Sequence, residues 1–149
     1  MIIYYTDGSA SPNPGPGGYA VIRDMQPAVL GGEPSGAVTT NIRMEGFAII
    51  AALKDANGQP CKIHTDSEFW INAITKWSLA WEAKGWQKKG GIKNLDIVQE
   101  VCPLYRQSQA ELIWVRGHVG TPGNELADHW ANQARLQGLT NPINQPAAG

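Results

Sequence analysis

Ile2-Ile3-Tyr4-Tyr5-Thr6 runs directly into Asp7-Gly8-Ser9. β-Branched and aromatic residues fill the first five of these positions, which predicts a short, buried central strand closed by a carboxylate. The same pattern recurs at Lys62 to Thr65, closed by Asp66-Ser67. Two acids at two strand ends point to one edge of a sheet, where α/β folds collect their sites. Outward from Asp7, Asn13-Pro14-Gly15-Pro16-Gly17-Gly18 is a loop signal. Tyr19 to Arg23 then reads as a second strand. Gln26-Pro27 reads as a turn, and Ala28 to Leu30, with a glycine-rich continuation to Val38, as a third strand. Short turns between the three predict an antiparallel meander.

Met44, Phe47, Ala48, Ala51 and Leu53 have helical spacing, and Asn57-Gly58 is a fitting C-cap. Asp66 or Ser67 can cap a helix through Ile74. Asn94-Leu95-Asp96 starts another, which runs to about Gln107 with a kink expected at Pro103. Leu112 to Arg116 reads as a strand, and Thr121-Pro122 leads into a helix through Leu136. Strands that alternate with helices pair in parallel. The expected fold is therefore α/β, a mixed five-stranded sheet (three antiparallel strands, then parallel ones) with helices on both faces. Gln137 to Gly149 is polar and proline-rich and is expected to be a frayed tail.

The chain has 149 residues and a net charge of −1, the size of one domain with no global basic field. Charge is unevenly spread. Lys76, Lys84, Lys88, Lys89 and Lys93 face a single acid, Glu82, over that stretch. Cys61 and Cys102 form no Cys-x-x-Cys pair, so they read as small buried hydrophobes and not as zinc ligands. No apolar run approaches membrane-spanning length, and Met1 leads straight into the first strand. A cytoplasmic monomer with no membrane association and no obligate protein partner is expected.

Four acids lie in four separate motifs: Asp7 in Tyr5-Thr6-Asp7-Gly8-Ser9, Glu45 in Thr40-Asn41-Ile42-Arg43-Met44-Glu45, Asp66 in Thr65-Asp66-Ser67, and Asp128 in Gly123-Asn124-Glu125-Leu126-Ala127-Asp128. The fold can bring all four to one sheet edge. Crowded carboxylates repel and hold protons unless a cation sits among them. Hard oxygen donors suit Mg²⁺ or Mn²⁺, and these ions suit phosphate chemistry. Two ions, with Asp7 as the bridging ligand, would both activate water and stabilise a leaving oxygen. His118, on a glycine-flanked loop before the last helix, can titrate near neutral pH and assist proton transfer or product release. The stretch Trp77, Trp81, Lys84, Trp86, Lys88 and Lys89 interleaves aromatic faces with cations, as a single-strand grip does. The plainer reading of it is a core-facing tryptophan stripe with a solvated lysine face.

These residues, in this order, resemble a type 1 ribonuclease H, over roughly Ile2 to Leu136, with 137–149 as the tail. The resemblance implies a stand-alone catalytic domain of the ribonuclease H-like fold. It implies endonucleolytic hydrolysis of the RNA strand of RNA–DNA hybrids, with 5′-phosphate and 3′-hydroxyl ends. Asp7, Glu45, Asp66 and Asp128 would be the metal ligands, for two Mg²⁺ ions with substrate bound, and His118 would assist turnover. Residues 77–93 would be a basic protrusion. Phe69, Trp77 and Trp81 would form the channel for the DNA strand, Thr40 and Asn94 part of a DNA-phosphate pocket, and Asn13, with Asn41, would meet the hybrid. Such a duplex is read without sequence readout, because only the RNA strand offers a 2′-hydroxyl.

Three positions depart from the family pattern. Ile42 stands where a polar residue usually precedes the arginine. Val38 stands where some members place an arginine, and Glu68 where glutamine is often found. Ala80-Trp81-Glu82-Ala83-Lys84 is also less basic than a typical protrusion. Weaker hybrid binding and a higher KM than in more basic relatives are expected, with the chemistry intact. Integrases and resolvases share the fold but not the Asp-Glu-Asp-Asp set with a loop histidine. A non-catalytic hybrid-binding protein would not need all four acids.

Overall fold

The computed structural model describes residues 1–116 and 121–145. In chain order the elements are β1 (Ile2–Ala10), β2 (Gly17–Arg23), β3 (Gln26–Gly31), α1 (Asn41–Ala56), β4 (Cys61–Thr65) and α2 (Glu68–Asn72). A π-helical turn (Ala73–Trp77) follows, then α3 (Ser78–Ala83), α4 (Leu95–Arg106), β5 (Ala110–Trp114), α5 (Pro122–Leu136) and β6 (Ile143–Asn144). The sheet order is β5-β4-β1-β2-β3-β6. β1, β2, β3 and β6 pair antiparallel, whereas β4 joins β1 and β5 in parallel. The mixed α/β sheet is as expected.

Side-chain alternation along β2 sorts the core into two layers. Tyr19 and Val21 join Tyr4 in a large cluster with Met44, Ala48 and Ile49 of α1 and Ile97, Val98 and Val101 of α4. Ala20 points to the opposite face and meets Leu30, Ala131 and Ala134 under α5. Cys61 and Cys102 are buried free thiols. Among the described residues no helix is long and apolar enough to cross a membrane.

Several boundaries differ from expectation. The sheet has six strands, not five, because Ile143 and Asn144 pair with Leu30 and Val29 and the Gln145 amide donates to the Ala28 carbonyl at 2.7 Å. The expected tail thus covers the β3 edge, whose backbone groups would otherwise lack partners in the sheet. The hairpin turn is Asp24-Met25, both left-handed with φ of 47° and 68°. A two-residue turn of this kind matches strand twist, so Gln26 and Pro27 pair with Arg23 and Ile22 instead of turning. After Gly31 the chain leaves the sheet, and Thr39 exchanges two backbone hydrogen bonds with Gly15. β5 starts and ends two residues earlier than expected, at Ala110 and Trp114, whereas α4, Leu95–Arg106 with Pro103 inside it, keeps the expected bounds.

β1 also does not stop at Asp7. It pairs with β4 only from Ile2 to Tyr5, but with β2 as far as Ala10. Asp7 therefore sits where the parallel neighbour has just ended, which is what opens space beside it.

Candidate active site

Asp7 and Asp66 come from adjacent parallel strands, and Glu45 is brought to them by α1. A Cβ on Gly8 would collide with the backbone of Met44 and Glu45, so α1 can press against β1 because residue 8 is glycine. Gly46 plays the same part toward α2, where a Cβ would meet the Trp70 ring. Trp70 is fully buried, and its indole N–H donates to the Ile42 carbonyl at 2.7 Å. That bond ties the helix after Asp66 to the helix that carries Glu45. Ser67 caps α2 by accepting the Trp70 amide at 3.3 Å. The Trp114 indole donates to the Asp66 carbonyl at 3.3 Å, from the end of β5.

One carboxylate oxygen each from Asp7, Glu45 and Asp66 lies within 4.8 Å of the other two. Oxygens around a cation bound at about 2.0–2.6 Å cannot be much more than about 5 Å apart, so the spacing fits a hard divalent ion. The electrostatics agree. Burial pushes the Asp7 carboxyl up to about 9, helped by Asp66, Glu45 and Asp128; the Gly8 amide, donating to Asp7 Oδ1 at 2.9 Å, works the other way. Burial and Asp66 push Glu45 up to about 7 against a Ser67 hydrogen bond. Without a counter-ion Asp7 holds a proton at neutral pH and Glu45 holds one part of the time, and a bound cation would release them.

Asp128 sits in the middle of α5, half-buried, with its charge felt at Asp7. It is not one of the three acids whose oxygens converge. One turn further along α5, Asn132 Oδ1 accepts from the Ser9 hydroxyl at 2.8 Å, which tethers that helix to the acidic strand. His118 lies outside the described residues.

A second feature begins just after Asp66. Phe69 on α2, Trp77 in the π turn and Trp81 on α3 follow one another, with ring centroids 5.9 Å apart at each step. With Lys88, Lys89, Ile92 and Lys93 they line a groove of about 490 Å³. Lys88 Nζ stands 5.8 Å from the centre of the Trp81 ring. Lys84 is exposed and lies outside this wall; Trp86, like Phe69 and Trp81, packs against the large core cluster, but it does not line the groove. A larger cavity of about 540 Å³, lined by Tyr19, Phe47 and Lys54, touches none of the four acids. Chemistry, not size, marks the site.

The remaining candidates form a polar rim around the start of α1. Thr40 caps α1 by accepting the Arg43 amide at 3.2 Å. Arg43 Nη1 donates to Asn94 Oδ1 at 3.4 Å, so one arginine links Thr40 and Asn94. Glu33 and Asp96 hold its guanidinium at 2.9 and 2.8 Å. Asn41 Oδ1 accepts the Ala10 amide at 2.6 Å, and Asn13 Oδ1 the Asn41 amide at 3.2 Å.

Residues 1–135 match the RNase H family. The chain belongs to that family. A Ribonuclease H of Polaromonas sp. is 43% identical over 142 residues, 89% of this chain and 87% of that protein. LC9-RNase H1, a type 1 RNase H with the type 2 active-site motif, superposes with a TM-score of 0.80 at 27% identity, over 97% of this chain and 77% of that one. A foamy viral protease-reverse transcriptase solved with an RNA/DNA hybrid shares the fold at a TM-score of 0.76 and 18% identity, over 91% of this chain and 20% of that chain. This RNase H family member is a nuclease. Sequence reading missed the glycines at 8 and 46 and the Ser9–Asn132 tether. Gly8 lies inside an acidic motif and Gly46 directly follows one, so both carried a signal; the tether joins residues far apart in sequence and carried none.

Proposed function

We propose that the protein is an endonuclease that hydrolyses the RNA strand of RNA–DNA hybrids, leaving 5′-phosphate and 3′-hydroxyl ends. The convergence of Asp7, Glu45 and Asp66 within 4.8 Å carries this reading. With Asp128 they would hold two Mg²⁺ ions, which Mn²⁺ can replace, and which when bound supply an activated nucleophile and neutralise charge at the phosphate. Buried Asp7 and the half-buried acids beside it would keep this chemistry in a preorganised setting, where charge is less screened than in bulk water. Asn41 spends its acceptor oxygen on Ala10, so the group it has left to offer is its NH₂ donor. Such a donor suits the acceptors of a minor groove and the RNA 2′-hydroxyl oxygen. Phe69, Trp77 and Trp81 offer faces to deoxyriboses and bases, and Lys88 and Lys89 neutralise phosphates. Thr40 and Asn94, joined by Arg43, form the phosphate pocket, and His118 assists product release.

The reading is tested with a 5′-labelled RNA strand presented alone, paired with RNA or paired with DNA. Each is incubated with Mg²⁺, with Mn²⁺ or with EDTA. Internal cleavage in the hybrid alone, dependent on metal, is the expected result. Binding without cleavage under either metal would turn the assignment to a hybrid-binding protein. Val38 is 67% exposed and Ile42 41%, so neither polar contact that they displace is made from the core. A KM equal to that of more basic relatives at matched salt would overturn the expected weakness of binding.

A further inference from the structure

The helix that follows Asp66 is not regular. A local reading ends it near Ile74, whereas the structure carries it through a π turn at Ala73–Trp77 into α3. The Ser78 amide donates to the Ala73 carbonyl, five residues back, in place of the α-helical partner at Ile74. The Ile74 carbonyl is not left bare, because the Ser78 hydroxyl donates to it at 2.9 Å. At the other end of the turn the Thr75 hydroxyl donates to the Ile71 carbonyl at 2.5 Å, again four residues back. At Ser78 the hydroxyl stands on the carbonyl that its own amide has left, and at Thr75 it bonds back to the turn before. Ser78 is 1% exposed, so water cannot do this for Ile74. A buried carbonyl without a donor would pull the backbone toward α geometry.

The turn changes which residues share a face. An α-helix turns about 100° per residue, so Trp77 would lie about 80° round from Phe69 and Trp81 about 120° round. Bonding to the fifth residue lowers the turn to roughly 80° per residue. Five such residues bring both offsets to about 20°, one on either side of Phe69. The observed rings agree, since Phe69 touches Trp77 and Trp77 touches Trp81 with equal centroid spacings of 5.9 Å. Without the wide turn, Phe69 would face away from the two tryptophans and the groove would lose the wall nearest to Asp66.

The geometry points to Thr75 and Ser78 as positioning residues for nucleic-acid binding: their hydroxyls hold the wide turn that puts Phe69, Trp77 and Trp81 on one face. The inference rests on the reading of the groove as the DNA-strand site. It also has a consequence independent of that reading. A π turn is an α turn with one residue inserted. Deleting Lys76, which is exposed, would give a plain α-helix in which Phe69 and Trp77 are seven apart and about 20° offset. The stripe survives that deletion, and it no longer needs the hydroxyls.

The test compares four full-length proteins: wild type, Thr75→Val/Ser78→Ala, the Lys76 deletion, and the deletion combined with both substitutions. KM and kcat are measured on a hybrid, with NOEs between the Phe69 and Trp77 rings as a readout that needs no substrate. The double substitution is expected to raise KM about fivefold or more, to leave kcat within twofold and to lose the ring NOEs. The deletion is expected to fold, to keep both KM and the NOEs, and to rescue the double substitution. A deletion variant that fails to fold, or that raises KM as much as Trp77→Ala does, overturns the proposal. So does a double substitution that leaves KM and NOEs unchanged. If wild type binds no hybrid, the proposed function fails, and the NOEs still decide the role of the turn.

Discussion

Asp7 is 4% exposed and Trp77 is 41% exposed: the acids cluster at the edge of the core, Asp7 buried and the other three half-buried, while the aromatics line an open groove one helix away. The acids are held by glycines that admit close backbone approach and by the bonds of Trp70, Ser67 and Trp114. The aromatics are held by the winding of one short helix. The first arrangement is costly to fold, because it buries like charges beside each other. The second costs less, since Phe69 and Trp81 rest partly on the core and the exposed Trp77 face needs no partner. A group that must act on a phosphate needs a fixed, poorly screened position, whereas a group that only grips the strand works in water.

The sharpest way to separate the two regions is Asp7→Asn. Cleavage of a hybrid with Mg²⁺ should fall by at least about 10³-fold, while hybrid affinity in EDTA stays within about threefold; a matching loss of affinity would erase the division. Trp81→Ala should do the reverse. Base–aromatic stacking is worth about 1–3 kcal/mol, so KM should rise about tenfold at nearly unchanged kcat, as read by initial rates. Replacing Lys88 and Lys89 together with alanine should weaken binding a few-fold. It should also lower the slope of log affinity against log salt by about one to two, which a titration series at several salt concentrations would detect.

The smallest effect concerns stability. Asp7 has its pKa raised to about 9 in the folded protein, against about 4 when unfolded. Its contribution is thus fully present below about pH 4 and is lost as pH rises toward about 9. Metal-free protein should lose Tm progressively across that window, and the Asp7→Asn variant should lose less. At pH 7 the variant should melt several degrees above wild type in EDTA. Added Mg²⁺ should close or reverse that gap. A wild-type Tm indifferent to both pH and Mg²⁺ would mean that the acids are not crowded in solution.

Much of this was legible locally. Thr6-Asp7-Gly8, Arg43-Met44-Glu45 and Thr65-Asp66-Ser67 each carry an acid with its neighbours, and the strand pattern placed two of them near one sheet edge. The π turn was not legible, because Ala73 to Trp77 has ordinary helical composition and its register depends on what Thr75 and Ser78 bond. Nor was β6, since Ile143 and Asn144 show no strand period and acquire one by lying along β3. The Gln26-Pro27 signal misled because the proline reads as a turn, while the twist of β2 and β3 selected Asp24-Met25.

The sequence by itself determined the donor types, the family and the order of strands and helices, because these depend on residue chemistry and short-range spacing. Only the tertiary structure decided that Asp7, Glu45 and Asp66 meet while Asp128 stands back, that Asp7 is the acid pushed up most by burial, and that Trp86 rests on the core while Trp77 lines the groove. Distance and burial set those outcomes, and both arise between residues that the chain keeps far apart.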